Sequence, residues 1–370
     1  MSMLADMDLF TLHRGDAPLL VSLPHDGSHI PDVLAARMAP QARRAPDTDW
    51  HVSRLYAFAR DLGASVIAPT HSRYVVDLNR PPDGASLYPG QSVTGLCPVD
   101  TFDDTPIYTR GDAPDDTEVA ARRDAIWAPY HVQLRAELDR IRAAHGVAVL
   151  WDAHSIRSVL PRFFEGKLPD LNLGTANGES CDPALAQELL AIAQAAPGYT
   201  AVLNGRFKGG HITRHYGQPA QNVHAVQLEM TQCSYMQEAL PFDYLPEVAA
   251  RVQPHLQRML EAALVFARPT LSGYRCYHGP SGPRRAAGAP SGHHCGRSRI
   301  PVDPAAFYYM PLFKPGAFVH LGLSRETVSH IVVRRNAMMV YLVGHENPVH
   351  PDTLRVAPTA FHLTRMPDRA

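Results

Sequence analysis

Between Val147 and Trp151 an apolar run follows a helical segment that ends at His145–Gly146, and it empties directly into Asp152-Ala153-His154-Ser155. A short apolar run behind a helix is how a buried strand of an α/β sheet announces itself. In open α/β sheets ligands sit beyond the carboxyl ends of the strands, so Asp152 and His154 fall where chemistry is expected. A histidine delivered this way can bind a metal through one ring nitrogen while a carboxylate fixes the other. The plainer alternative is a hydrogen-bonded pair that closes a strand.

The same pattern recurs along the chain. Pro18–Leu23 reads as a strand that ends in Pro24-His25-Asp26-Gly27-Ser28-His29-Ile30-Pro31, a tight loop set by glycine and proline. His25 is well placed there for a metal, whereas the glycine and serine before His29 argue against a helical His25/His29 pair. Ser65–Pro69 is a strand, and His71–Pro82 reads as another, ending in Asp77-Leu78-Asn79-Arg80. Two prolines stiffen the backbone at Arg80, which suits a residue aimed at an anion. Leu171–Thr175 is a short strand with a turn. Thr200–Leu203 opens into Asn204–Gly217, where Arg206, Lys208 and Arg214 alternate with glycines, so that backbone and cations can both approach a ligand. Val223–Met230 is a β-type run with Glu229 at its carboxyl end.

Helices fill the gaps. Asp47-Thr48-Asp49-Trp50-His51 starts one, with Asp47 or Thr48 as the cap and Val52, Leu55, Tyr56 and Phe58 as the apolar face. Asp115–Ala144 is a long amphipathic helix whose Glu118, Arg122 and Arg123 read as a solvated face. Pro183–Ala195 and Leu245–Ala263 are the others. Residues 83–117 are rich in loop formers yet carry aromatics, which favours an ordered cover over a site. Strands alternating with helices predict a three-layer α/β/α sandwich around a mostly parallel or mixed sheet.

The net charge of −1 offers no electrostatic case for nucleic acid or membrane as partner. It averages two unlike parts. Residues 268–370 hold 13 Lys and Arg against 5 Asp and Glu, while the first 267 hold 22 against 31. Five scattered cysteines without C-x-x-C spacing argue against a disulfide framework or a thiolate zinc knuckle. Met1–Leu9 lacks the basic start of a signal peptide, and no apolar run approaches the roughly 18 residues of a membrane span. The expectation is a cytoplasmic protein. No Gly-rich nucleotide fingerprint, Walker loop or G-x-S-x-G elbow occurs.

Taken together, His25, Arg80, Asp152, His154, the Asn204–Arg214 loop and Glu229 all lie at or just after strand ends. Two histidines, a carboxylate and an open position suit catalytic zinc. A glutamate that does not bind the metal would serve as proton shuttle, and arginines would grip an anionic substrate. The residue chemistry alone points to a metal-dependent hydrolase of a small acidic amide.

The segments PHDGSHIP (24–31), DTDWH (47–51), SRYVVDLNRPP (72–82), LYPGQ (87–91), WDAHSIRS (151–158), LPDLNLGT (168–175), NGRFKGGHITRHYG (204–217) and HAVQLEMTQ (224–232) resemble the N-formylglutamate amidohydrolases, also called N-formylglutamate deformylases. The resemblance runs from about residue 8 to 265, in the family's order. It implies a phosphorylase/hydrolase-like fold related to zinc carboxypeptidases. It also implies hydrolysis of N-formyl-L-glutamate to formate and L-glutamate, the end of a histidine degradation route. Carried over, it implies His25 and His154 as imidazole ligands of a divalent metal, most readily Zn2+, with Asp49 as the carboxylate ligand and Asp47 kept open. Ser28, three after His25, departs from the H-x-x-E of the carboxypeptidase relatives. Glu229 matches the general base. Arg80 and Glu229 are the catalytic candidates; Arg80, Asn204, Arg206 and Arg214 are the substrate-binding ones, and Asp152 partners a ligand histidine.

The resemblance assigns residues 1–267 to a catalytic domain and leaves 268–370 outside it. Arg268–Arg299 contains no Asp or Glu and is dominated by Gly, Pro, Ser, Arg and His, which reads as a poorly ordered extension. Ala317–Gly344 has apolar runs for a small appended unit. The abrupt change suits a read-through or frame-shifted extension, and His293-His294-Cys295 reads as a chance cluster in it. Two other readings stay open: a zinc amidohydrolase or peptidase for another N-acyl acidic amino acid, and a catalytically silent acidic-ligand binder. A nucleic-acid role for the basic tail lacks any recognised module.

Overall fold

The structure is a computed structural model that describes residues 8–86, 90, 92–268, 309–311, 318–321, 324–334, 337–345, 347, 349, 354–356 and 362–364. The chain divides into two units, Met1–Tyr277 and His278–Ala370. In the first, the elements in chain order are β1 (Phe10–His13), β2 (Leu19–Ser22), α1 (Asp32–Ala35), α2 (Val52–Leu55), β3 (Ser65–Pro69), α3 (Asp116–Arg122), α4 (Ala128–His145), β4 (Ala148–Ile156), β5 (Leu171–Gly174), α5 (Pro183–Gln194), β6 (Ala201–Leu203), α6 (His211–Tyr216), β7 (Val223–Thr231) and α7 (Pro246–Phe266).

Local chemistry accounts for several of the boundaries. Asp115 caps α3 by accepting from the Glu118 amide, and Asp182 caps α5 with Pro183 in its first turn. Gly146, in the left-handed region at φ 76°, ends α4 and turns the chain into β4. The long helix expected over 115–144 is two helices joined by a π segment, Arg123–Trp127. Its supposed solvated face is partly interior: Arg122 is buried, bonded to Val75 O and Tyr108 Oη and paired with Glu118.

Seven strands form a mixed sheet in the order β1-β3-β2-β4-β7-β5-β6. β3, β2, β4 and β7 are mutually parallel; β1 is antiparallel to β3, and β5, with β6 parallel to it, is antiparallel to β7. All nine residues of β4 and of β7 are buried. Alternation divides them between two cores. Val149, Trp151 and Ala153 join Val226, Leu228 and Met230 in a core with α2, α5 and α7. Ala148 and Leu150 join Val223 and Ala225 in another with Tyr130, Leu134, Leu138 and Ile141 of α4 and Ile212 of α6. The next residues on that second face are Asp152 and His154 on β4, and, in register with them, Gln227 and Glu229 on β7.

Two sequence expectations fail here. Residues 71–82 form no strand; His71 makes an isolated bridge with His29, and the chain then runs through turns. Tyr74, Val75, Val76 and Leu78 are apolar because they are packed within the second core, where a turn can be as buried as a strand. The helix expected from Asp47 is a single turn, α2, whose amino end is not capped by a side chain.

The second unit comprises β8 (Tyr309–Pro311), β9 (Phe318–Leu321), β10 (Ser324–Arg334), β11 (Ala337–Leu342), β12 (Leu354–Val356) and β13 (His362–Thr364). The strands β11-β10-β9-β12 form an antiparallel sheet, and β8 pairs with β13. The strands β9, β10 and β11 fall within 317–344, the stretch whose apolar runs read as a small appended unit. Residues 269–308, with Cys276 and His293-His294-Cys295, lie outside the described residues, as do Leu87–Pro89 and Gln91 of the LYPGQ segment. No described helix is long and apolar enough to cross a membrane.

Trp151 is fully buried at the centre of the sheet and donates its indole N–H to Tyr56 Oη at 3.1 Å. Trp151→Ala should cost about 3–5 kcal/mol through lost burial and the cavity it leaves, read as a lowered midpoint in urea denaturation.

Candidate active site

Three buried side chains meet beyond the carboxyl ends of β2 and β4. His25 stands on the loop after β2, His154 near the end of β4, and Asp49 just before α2. His154 Nδ1 is 3.1 Å from His25 Nδ1 and 3.1 Å from Asp49 Oδ2, which lies 3.7 Å from His25 Nδ1. The donor atoms of the three groups lie within 4.8 Å of one another, and among the described residues no other His, Cys, Asp and Glu group of this size is so arranged. Asp49 Oδ2 also accepts from the Ser155 amide, while Asp49 Oδ1 is buried without a hydrogen-bond partner. Two imidazole nitrogens and a carboxylate oxygen brought together, with the second carboxylate oxygen 3.7 Å from Arg73 Nη1 and not hydrogen-bonded, fit a divalent cation.

Each imidazole is held from behind. His25 Nε2 meets Asp77 Oδ1 at 2.7 Å, and Asp77 is fixed in turn by Arg73 (2.7 Å) and by the Asn79 amide (2.9 Å). His154 Nε2 lies 3.2 Å from Asp152 Oδ2, which accepts from Thr213 Oγ1, and 2.8 Å from Asn79 Nδ2. A carboxylate behind each ring fixes its orientation and turns the two Nδ1 atoms toward each other and toward Asp49. Burial alone would raise the Asp49 carboxyl, but hydrogen bonds from His154 and His25 outweigh it and hold the group well below the usual range. Asp77 is likewise held low against burial by His25 and Arg73. Burial disfavours charge on His154, yet Asp152 and Asp49 raise it well above its ordinary value.

Glu229 lies beside His154 in the sheet register, on the same face, and is 8% exposed. Burial pushes its carboxyl up to about 8, against the opposing charge of His154 and with the help of Asp49. A cavity opens over these groups, lined by His25, His154, Gln227 and Glu229 on its floor, by Phe102, Phe163 and Phe207, and by Arg73, Arg80 and Arg206. Arg80 is anchored by Nε to Thr94 O (2.9 Å) and by an Nη2 bond to Thr94 Oγ1 (3.0 Å); Arg206 is anchored by Nε to Phe163 O (2.6 Å).

The structure separates the remaining candidates from this group. Asp47 is turned to Tyr74 Oη and the Phe102 amide, so of the two aspartates it is Asp49 that meets the imidazoles. Asn204 ties Thr175 and the Asn177 amide together, away from the cavity lining. The reason is topological: β6 runs against β4 and β7, so its carboxyl end is not on the rim where theirs emerge. Arg214 sits on α6 with Nε on Gly209 O and does not line the cavity. His29 faces His71, 5.1 Å between ring centres. Sequence reasoning missed Asp77, Asn79, Arg73 and Gln227. The signal for the first two was the polar alternation Asp77-x-Asn79 ahead of Arg80, masked by reading the segment as a strand end.

Comparison with known proteins follows the same lines. The family model of the N-formylglutamate amidohydrolases matches residues 17–236. The chain is 52% identical over 258 residues to an N-formylglutamate deformylase of Pseudomonas putida, covering 70% of this chain and 96% of that one. It is 51% identical over 261 residues to the deformylase of Pseudomonas aeruginosa, covering 70% and 98%. A crystal structure of N-formylglutamate amidohydrolase from Ralstonia eutropha JMP134 superposes with a TM-score of 0.61 at 25% identity, covering 70% of this chain and 98% of that one. With its histidines, aspartate and buried glutamate gathered at one sheet edge, the chain belongs to the N-formylglutamate amidohydrolase family.

Proposed function

We propose that this enzyme hydrolyses N-formyl-L-glutamate to formate and L-glutamate on a three-layer α/β/α scaffold, with a divalent metal, zinc in our reading, held by His25, Asp49 and His154. The observation that carries the reading is the convergence of those three side chains beside Glu229, under a cavity bordered by anchored arginines. The identity to curated deformylases supports the substrate. Zinc held by two imidazoles and a carboxylate supplies Lewis acidity toward a carbonyl oxygen and toward water.

The chain's own residues do the rest. Glu229, in its ionised form, takes a proton from the water that adds to the formyl carbon. A cation among its neighbours favours that form, against the burial that otherwise raises it. When the carbon–nitrogen bond breaks, the Glu229 carboxyl returns the proton to the departing nitrogen, so that one group serves as base and then acid. Asp77 and Asp152 hold the two imidazoles in orientation. Arg80, locked on Thr94, faces the charge that develops on the formyl oxygen or a substrate carboxylate, and Arg206 takes a carboxylate of the glutamyl part. Phe102, Phe163 and Phe207 close off water around the reacting amide. All of this chemistry falls within residues 1–267. We read 268–370, with its abrupt change of composition, as a read-through or frame-shifted extension that takes no part.

Formate release from N-formyl-L-glutamate should vanish after chelation and return with added Zn2+; activity that survives complete metal removal contradicts the metal reading. Glu229→Gln should lower kcat about 10²–10⁴-fold, with metal content, measured by elemental analysis, unchanged. Arg206→Ala should raise KM roughly tenfold or more, the loss of one charge-assisted contact of about 1.5–3 kcal/mol, while kcat changes less.

A further inference from the structure

Asn79 is buried and has no assigned part in the reaction just proposed, yet it bonds to the groups behind both histidines and to the first turn of α6. Its backbone N–H donates to Asp77 Oδ1 at 2.9 Å, the same oxygen that holds His25 Nε2. Its side-chain Nδ2 lies 2.8 Å from His154 Nε2 and donates to Asp152 Oδ2 at 3.4 Å. Its side-chain Oδ1 accepts from the Ile212 amide at 2.8 Å and its backbone carbonyl from the His211 amide at 3.3 Å, so it satisfies two first-turn donors of α6 from another part of the chain. The carbonyl also takes an Nη1 bond from Arg80 at 3.2 Å.

The Ile212 bond settles which way the carboxamide points. An amide hydrogen reaches Oδ1, so the nitrogen end donates to Asp152, which holds His154 Nε2, and lies next to the ring rather than accepting from it. Gly210 fits this arrangement closely. Its backbone is in the ordinary extended region (φ −82°, ψ −164°), which alanine adopts without strain, but a Cβ there would collide with the Asn79 carboxamide. The Gly210 N–H donates to Gln227 Oε1 at 2.7 Å, and Gln227 in turn reaches Glu229. The end of the loop that carries Arg206 is thus pinned between Asn79 and the β7 side chains next to the proposed base.

We infer that Asn79 is a positioning residue: its carboxamide, seated against Gly210 and the first turn of α6, sets the His154–Asp152 pair in the orientation that the metal needs. The inference rests on the metal reading of His25, Asp49 and His154. It assigns Asn79 no contact with the reacting atoms. Its effect is exerted through the imidazole, so it belongs in metal affinity and kcat more than in KM.

The test is a double-mutant cycle of Asn79→Ala and Gly210→Ala, read by Zn2+ affinity of the metal-free protein in competition with a chromophoric chelator, and by the split of kcat from KM. Each single variant should weaken Zn2+ binding about 10–100-fold, the usual scale for a group behind a ligand, and lower kcat with KM held. In the Asn79→Ala background, Gly210→Ala should cost nothing further, because the group it displaces is gone. Should Asn79→Ala fail to fold, Gly210→Ala, which removes no hydrogen-bonding group, still gives the affinity and the kcat–KM split. Full Zn2+ affinity in either single variant, equal losses from Gly210→Ala in both backgrounds, or a loss confined to KM would overturn the inference and leave the metal reading intact. Absence of Zn2+ uptake by the unaltered protein would overturn the metal reading and this inference together.

Discussion

Four carboxylates, those of Asp49, Asp77, Asp152 and Glu229, are buried around two imidazoles and a single buried arginine, Arg73. Burying charge is costly unless it is matched, and the site is built from the matches. Asp77 is answered by Arg73 and His25; Asp152 by His154, Thr213 and Asn79; Asp49 by both imidazoles and the Ser155 amide. Among the described residues the Glu229 carboxyl has only Gln227 as a hydrogen-bond partner, at 3.3 Å, and burial raises it. The group least compensated by its surroundings is the one proposed to exchange a proton.

That balance depends on how the sheet delivers its residues. β4 and β7 are parallel and in register, so Asp152 stands beside Gln227 and His154 beside Glu229 on one face. The apolar side chains of that face, Ala148, Leu150, Val223 and Ala225, form a core beneath α4, and the polar set begins where this core ends. The reversal of β5 and β6 has the opposite effect on the basic loop. It starts away from the rim at Asn204 and must cross back to reach the cavity at Arg206. Gly174 permits the crossing, because a Cβ there would lie 2.6 Å from Gly209 N.

How much of this could be read in the chain varies with the residue. His25, His154 and Glu229 were legible because each sits on or just past an apolar run, where chain direction and burial are both encoded locally. Asp49 was the choice for the carboxylate ligand, but Asp47 stayed open beside it, since the two have the same chemistry and both are buried. Asp77 and Asn79 were misread because Tyr74–Val76 looks like a strand, and local pattern does not tell a buried turn from a buried strand when both face the same core. Asn204 was assigned to the site on the assumption that all strand ends share one rim, which holds only for strands that run the same way.

By itself, the sequence determined the alternation of strands and helices, the polar residues that end the strands, and the family to which those segments are similar. These are properties of neighbours along the chain: periodicity, turn chemistry and residue order. Only the tertiary structure decided that Asp49 and not Asp47 meets the imidazoles, that Asp77 stands behind His25, that β5 and β6 run in reverse, and that Asn79 joins α6 to the His154–Asp152 pair and, through Asp77, to His25. Each of those contacts links residues from 2 to 133 positions apart, and strand direction and side-chain approach over such separations are set by packing rather than by local pattern.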